Sequence, residues 1–252
     1  MFVNTVRAEW TKLTTTKAFW WTTGLFLGGA VLFGIFELAL VHRWVKEAVM
    51  SAGDANGFIR NLAIQILLIQ AVMVVTTEYR YKLVPIDFTA VPRRWVVMLA
   101  KVLLYGLIAA ALTCLGLLIA YGMMQSFPND ASRGNIHVFS YDEGGRMLWA
   151  MPLAVFLAVF FCQGLGMLMH QTAGAVVVLL LLYTSFTGLP LFIPKYGETI
   201  MKILPFQSFH HSITGDPLQG TDLSNWQVWL IWAAWCLVLW IAGLIFVEKR
   251  DA

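Results

Sequence analysis

Charge is what this sequence has least of. Only 12% of its 252 residues are Asp, Glu, Lys or Arg, against about 25% in an ordinary soluble domain. That density cannot cover a globular surface in water, so the chain either aggregates or turns its surface to lipid. The phosphate-binding pattern G-x-x-x-x-G-K-S/T is absent, which excludes ATP hydrolysis by that route. H-E-x-x-H and G-x-S-x-G are absent too, so no catalytic residues are assigned. Cysteine is scarce. Cys114, Cys162 and Cys236 are an odd count inside apolar blocks, without metal-type spacing, and read as small core residues rather than a disulfide framework. No basic stripe accompanies the net charge of +3, which argues against nucleic acid as a partner. Five histidines remain. His210 and His211 are adjacent and would point about 100° apart on a helix. They read, with His42, His137 and His170, as surface or capping residues, and no metal site is assigned.

What the chain has instead is apolar length. Hydrophobic residues make up 59% of it, with a mean hydropathy of +0.72. They gather in blocks of about 20 or more, the length a helix needs to cross about 30 Å of hydrocarbon. The fold class is therefore all-α integral membrane, one transmembrane domain over residues 1–252. Six spans are predicted within 18–247: Ala18–Val41, Phe58–Thr77, Trp95–Met123, Met147–Met169, Ala173–Ile193 and Trp226–Val247. Ahead of them, Met1–Lys17 reads as an interfacial helix. Phe2, Val6, Trp10 and Leu13 form an apolar stripe, with Arg7, Lys12 and Lys17 elsewhere on the wheel. The apolar block behind this segment is longer than the core of a cleavable signal, so the segment is expected to stay. Between the last two spans, residues 194–225 hold a helix-like piece, Glu198–Phe209. It is too short to span and broken by Pro205, and reads as a re-entrant element.

Lys and Arg orient the bundle. Ten of them, including Arg80, Arg93, Arg94 and Lys101, fall on the side of both termini, against seven on the other. Eight acidic residues, among them Asp142 and Glu198, lie on the less basic side. This predicts a multi-pass plasma-membrane protein with both termini in the cytoplasm. Trp20, Trp21, Trp95, Trp149 and Trp226 fall near span ends as interfacial anchors.

Polar residues inside spans are costly and face a partner or a cavity. Glu37, Asn61, Gln65, Gln70 and Gln163 are the candidates, either as interhelical hydrogen-bonding groups or as points on a substrate path. Glu37 lies about one turn from water and reads as a snorkelling residue. Gly24-x-x-x-Gly28 allows close helix approach, including across a dimer. The most specific stretch is residues 78–94, a charged, aromatic loop. It opens on Thr77-Glu78-Tyr79-Arg80-Tyr81-Lys82 and closes on Phe88-Thr89-Ala90-Val91-Pro92-Arg93-Arg94 ahead of Leu99-Ala100-Lys101. Pro92 can start the next helix, and the basic pair can meet anionic headgroups.

Glu78-Tyr79-Arg80, Ala90-x-Pro92-Arg93 and Lys101, in this order, resemble the ABC-2-type permeases of ATP-binding-cassette exporters. Arg7-Ala8-Glu9-Trp10-Thr11-Lys12-Leu13, Phe19-Trp20-Trp21, Leu204-Pro205-Phe206 and the Arg250-Asp251-Ala252 ending are similar to the actinobacterial branch. Leu83-Val84-Pro85 departs from the Gly or Thr more usual after the Glu-Arg stretch. The resemblance implies a non-enzymatic permease subunit that pairs with a second permease, identical or different. Cytoplasmic ATPase subunits would bind below, with ATP and Mg held on the ATPase and no cofactor on this chain. It implies coupling to the ATPase through Glu78, Tyr79, Arg80, Pro92, Arg93 and Arg94, and efflux of a hydrophobic or amphipathic drug, peptide or lipid. An intramembrane enzyme using Glu37, His210 and His211, and a membrane sensor or scaffold, are the competing classes.

Overall fold

The computed structural model describes residues 2–44, 57, 59–81, 93–126, 143–185, 200, 203–215 and 223–250. Every regular element among them is helical. α1 (Phe2–Thr15) is followed by α2 (Lys17–Trp44). A π-helical turn, Ile59–Ala63, runs into α3 (Ile64–Arg80), and α4 (Arg94–Ser126) and α5 (Glu143–Met169) come next. α6 (Thr172–Leu180) ends in a second π-helical turn, Leu181–Ser185, before the short α7 (Pro205–Thr214) and the final α8 (Asn225–Arg250).

Five of these helices are long and apolar enough to cross a membrane: Lys17–Phe36, Ile59–Arg80, Arg94–Met123, Gly145–Met169 and Asn225–Lys249. They coincide with five of the six predicted spans and mark the chain as one suited to lie in a membrane. The sixth predicted span, Ala173–Ile193, is represented by the shorter apolar helix Thr172–Thr184, and its remainder from residue 186 lies outside the described residues.

α5 is the axis of the bundle. It packs against α8, α4, α3, α6 and α7, and its apolar window is 72% buried against 22% for that of α2. Small residues let it do so. Ala150, Ala154 and Ala158 are all buried on it. An added Cβ at Gly164 would sit 2.7 Å from the Leu239 carbonyl carbon and the Trp240 nitrogen, so backbone meets backbone where α5 crosses α8. Of the five tryptophans of α8, the four at Trp226, Trp229, Trp232 and Trp235 scatter around that helix, as their three-residue spacing requires. Trp232 is fully buried and donates to the Ala154 carbonyl (3.3 Å), Trp229 stacks on Trp149, and Trp226 is exposed.

The break expected at Pro205 in the helix-like piece Glu198–Phe209 is there: Ile200 and Ile203 are helical, Leu204 is extended, and Pro205 opens the new helix α7, because its missing N–H costs nothing at the first helical position and its fixed φ suits it. α7 buries Phe206, Phe209 and Ile213 against α5 and α8 and ends at Gly215 in the left-handed conformation (φ 79°). Arg146 of α5 fastens that end. Its guanidinium donates to the carbonyls of Ile213 (3.3 Å) and Ser212 (3.0 Å) and to Asn225 Oδ1 (2.8 Å), and lies 5.8 Å from the Trp149 ring centroid. Arg146→Ala strands these carbonyls. It is expected to cost about 1–3 kcal/mol and to raise amide exchange selectively in 205–215. Uniform exchange across the chain would refute the fastening role.

Candidate functional site: a buried ion cluster under the first helix

α1 and α2 meet at Thr16, where the helical ladder is interrupted. The Thr16 N–H reaches the Leu13 carbonyl (3.2 Å), and Trp20 Nε1 donates to the Thr14 carbonyl (2.7 Å). This bend lays α1 across the ends of its neighbours, chiefly α4. The face it buries is Thr5, Glu9 and Leu13, four residues apart on one side of a helix. The predicted stripe is therefore only partly the packed one. Leu13 is buried, Val6 is half-buried, and Phe2 and Trp10 (50%) remain exposed. A carboxylate sits in the middle of the packed face because a cation waits beneath it.

That cation is Lys101, two turns into α4 and 2% exposed. Its ammonium contacts Glu9 Oε2 and lies 2.7 Å from Glu78 Oε1 at the end of α3. Lys12, more exposed, bridges the same two acids from above, at 2.9 Å from Glu9 Oε1 and 3.2 Å from Glu78 Oε1. Two carboxylates and two ammonium groups thus alternate between α1, α3 and α4. Burial pushes the Glu9 carboxyl up, but Lys101 and then Lys12 outweigh it, and its pKa is lowered from the ordinary carboxylate value. Such a cluster contributes little net stability compared with a well-packed apolar one, yet breaking it is costly. It fixes where α1 docks more than how tightly.

Deeper along α3, Gln70 continues the polar line. Its Nε2 donates to the Phe19 carbonyl of α2 (3.1 Å), and its Oε1 accepts from Tyr105 Oη of α4 (3.0 Å). A cavity of about 420 Å³ lies between the cluster and these residues. Lys12, Phe19, Gln70, Met73, Arg80 and Lys101 are among those that line it.

The structure gathers some of the sequence candidates here and disperses others. Glu78 is in the cluster and Arg80 is exposed at the cavity rim. Tyr79 turns away, edge-on to His170 with ring centroids 4.2 Å apart. His170 holds the tight α5–α6 turn at a positive φ of 54°, the capping role expected of it. Arg94 starts α4 and donates to the Val247 carbonyl of α8 (3.0 Å), and Arg93 is exposed beside it. Pro92 and most of the 78–94 loop lie outside the described residues, as does the side chain of Glu37. Gln70 makes the interhelical bonds expected of it. Asn61 and Gln65 do not follow the interhelical reading: each amide donates to a backbone carbonyl four residues earlier, Gly57 (2.8 Å) and Asn61 (2.6 Å). Gln163 is buried in α5, and its Nε2 meets no acceptor among the described residues.

His210 packs on the rings of Tyr183 and Phe209, and His211 lies 3.2 Å from the Gln207 amide. Among the described residues no three His, Cys, Asp or Glu side chains converge as metal ligands. Sequence reasoning missed Glu9 and Lys12 as site residues. The available signal was Lys101, a cation inside an apolar block, which requires counter-charges from elsewhere in the chain. No family model matches this chain, and no curated protein matches it.

Proposed function

We propose that this chain is the membrane-spanning subunit of an ATP-driven exporter whose ATPase is a separate polypeptide. The Glu9–Lys12–Glu78–Lys101 cluster carries the reading, because it ties a surface helix to two long apolar helices at the mouth of the 78–94 loop. The absence of a phosphate-binding loop supports a divided machine, and the resemblance of the Glu78-Tyr79-Arg80 stretch supplies the family.

In this reading the bundle crosses the plasma membrane six times, with both termini and residues 78–94 in the cytoplasm. α1 lies along the inner headgroups, and α7 is a re-entrant element at the outer face. ATP closes a pair of ATPase subunits beneath a pair of permeases. Arg80 and Arg93, both exposed, would meet the ATPase. Glu78 works one layer inside. A push on the loop moves the end of α3, and the cluster obliges α1 and α4 to follow. ATP shifts the inward–outward balance only so far as the ATPase binds the two states unequally. The cargo is a hydrophobic or amphipathic molecule.

The test is affinity purification of the tagged chain from native membranes in mild detergent. An ATPase bearing a phosphate-binding loop is expected to co-purify and to hydrolyse ATP in the complex. Glu78→Ala is expected to reduce ATP-dependent efflux about tenfold or more, the cost of losing one charge-assisted contact. Recovery of the chain with no ATPase, or full efflux by both Glu78→Ala and Arg80→Ala, would remove this proposal.

A further inference from the structure

The cavity beside the cluster carries a cation that the cluster does not use. Glu9 and Glu78 are both engaged by Lys12 and Lys101. Arg80 lines the same cavity and meets no carboxylate among the described residues; its guanidinium lies 5.9 Å from the Tyr81 ring centroid. Among the described residues the charged lining is three cations, Lys12, Arg80 and Lys101, and two carboxylates, Glu9 and Glu78. The other side of the cavity is apolar, formed by Leu13, Phe19, Met73 and Val74. A charged rim on an apolar wall fits an amphiphile, and about 420 Å³ lies in the usual range for a small-ligand site.

Position narrows the chemistry. Trp10, Trp20 and Trp21 are exposed on the elements that frame this cavity, and exposed tryptophan marks the depth of lipid headgroups. An exposed arginine at that depth presents a planar fork of N–H donors matched to a phosphate.

We propose that this cavity holds the phosphodiester headgroup of one anionic glycerophospholipid, with Arg80 as its principal donor and Phe19 and Met73 against the start of its acyl chains. The bound lipid touches α1, α2 and α3 together and so favours the docked position of α1. The site rests on membrane embedding and shares Arg80 with the ATPase contact proposed above, so the lipid experiment is made on the chain without an ATPase and its failure is separate from that of the exporter reading.

The experiment uses the full chain, purified in uncharged detergent and titrated with phosphatidylglycerol, phosphatidylcholine or inorganic phosphate. Native mass spectrometry counts retained lipid. Phosphatidylglycerol is expected to bind about tenfold or more tightly than phosphatidylcholine, and Arg80→Gln to abolish that preference. Arg80 is exposed at the end of its helix, so the variant folds. Thr22→Phe, which fills the cavity without changing charge, is expected to weaken phosphatidylglycerol binding by a similar factor. Equal binding of the two lipids, or an undiminished preference in either variant, overturns the proposal. So does displacement of phosphatidylglycerol by millimolar inorganic phosphate, which would make the cavity a site for a free anion.

Discussion

Lys101→Met is expected to be the most damaging conservative-volume substitution in the chain, lowering stability by about 3–5 kcal/mol. The methionine fills the space of the lysine stem but leaves Glu9 and Glu78 buried with only the half-exposed Lys12 to answer them. The stranded acids then draw water inward, and α1 lifts from α4. Thermal unfolding in detergent, followed by tryptophan fluorescence, reads the loss, and limited proteolysis of α1 shows where it begins. The double variant Glu9→Gln/Lys101→Met separates charge from packing. It removes one of the stranded carboxylates, so it is expected to recover part of the deficit, an interaction that independent sites would not show. A Lys101→Met protein that unfolds at the parent temperature would refute the role of the cluster in holding α1.

Adding a single methyl group at Gly164 is the second large effect expected. The new Cβ would lie 2.7 Å from three backbone atoms of Leu239 and Trp240, none of which can rotate away. α8 must therefore shift bodily off α5, the most extensive helix pair in the fold. Overpacking of this kind costs about 1–3 kcal/mol for Gly164→Ala, and a larger side chain costs more. Gly243→Ala attacks the same crossing from the other helix, since its Cβ would come 2.9 Å from the Gly164 carbonyl oxygen. Gly24→Ala is the contrast. No described atom lies within 4 Å of that position, so alanine should gain about 0.5–1 kcal/mol of helix propensity. Equal behaviour of Gly164→Ala and Gly24→Ala in a melting series would refute the close crossing. A loss at Gly24 alone would point to a second copy packed there.

These substitutions also show what could be read before the structure. The long helices were legible because length and apolarity are set by the chain itself. Gln70 was legible because an amide inside an apolar block needs partners, and Glu78 because it stands at the end of one. Glu9 was not. The apolar spacing of Phe2, Val6, Trp10 and Leu13 argued for one face of α1, and the packed face is a neighbouring one that shares only Leu13. What decided it was a lysine 92 residues away in sequence. Arg146 was illegible for a similar reason, since the carbonyls it caps are more than 60 residues distant. The glycines divide differently from the motif. Gly24-x-x-x-Gly28 has no described atom against it, which leaves its approach to a second copy open, while Gly164 and Gly243, each unremarked in its own helix, make the close crossing of α5 and α8. Asn61 and Gln65 were read as interhelical groups or points on a substrate path, yet each amide donates to a carbonyl four residues earlier and needs no distant partner.

The first helix is held in place by opposite charges in a largely buried seam beside a cavity, and this makes its grip a question of wetting. Two unit charges 4 Å apart attract by about 4 kcal/mol at an effective dielectric of ~20 and by about 1 kcal/mol in water. A few solvent molecules admitted beside Lys101 would loosen α1 without any bond being cut, and expelling them would seat it again.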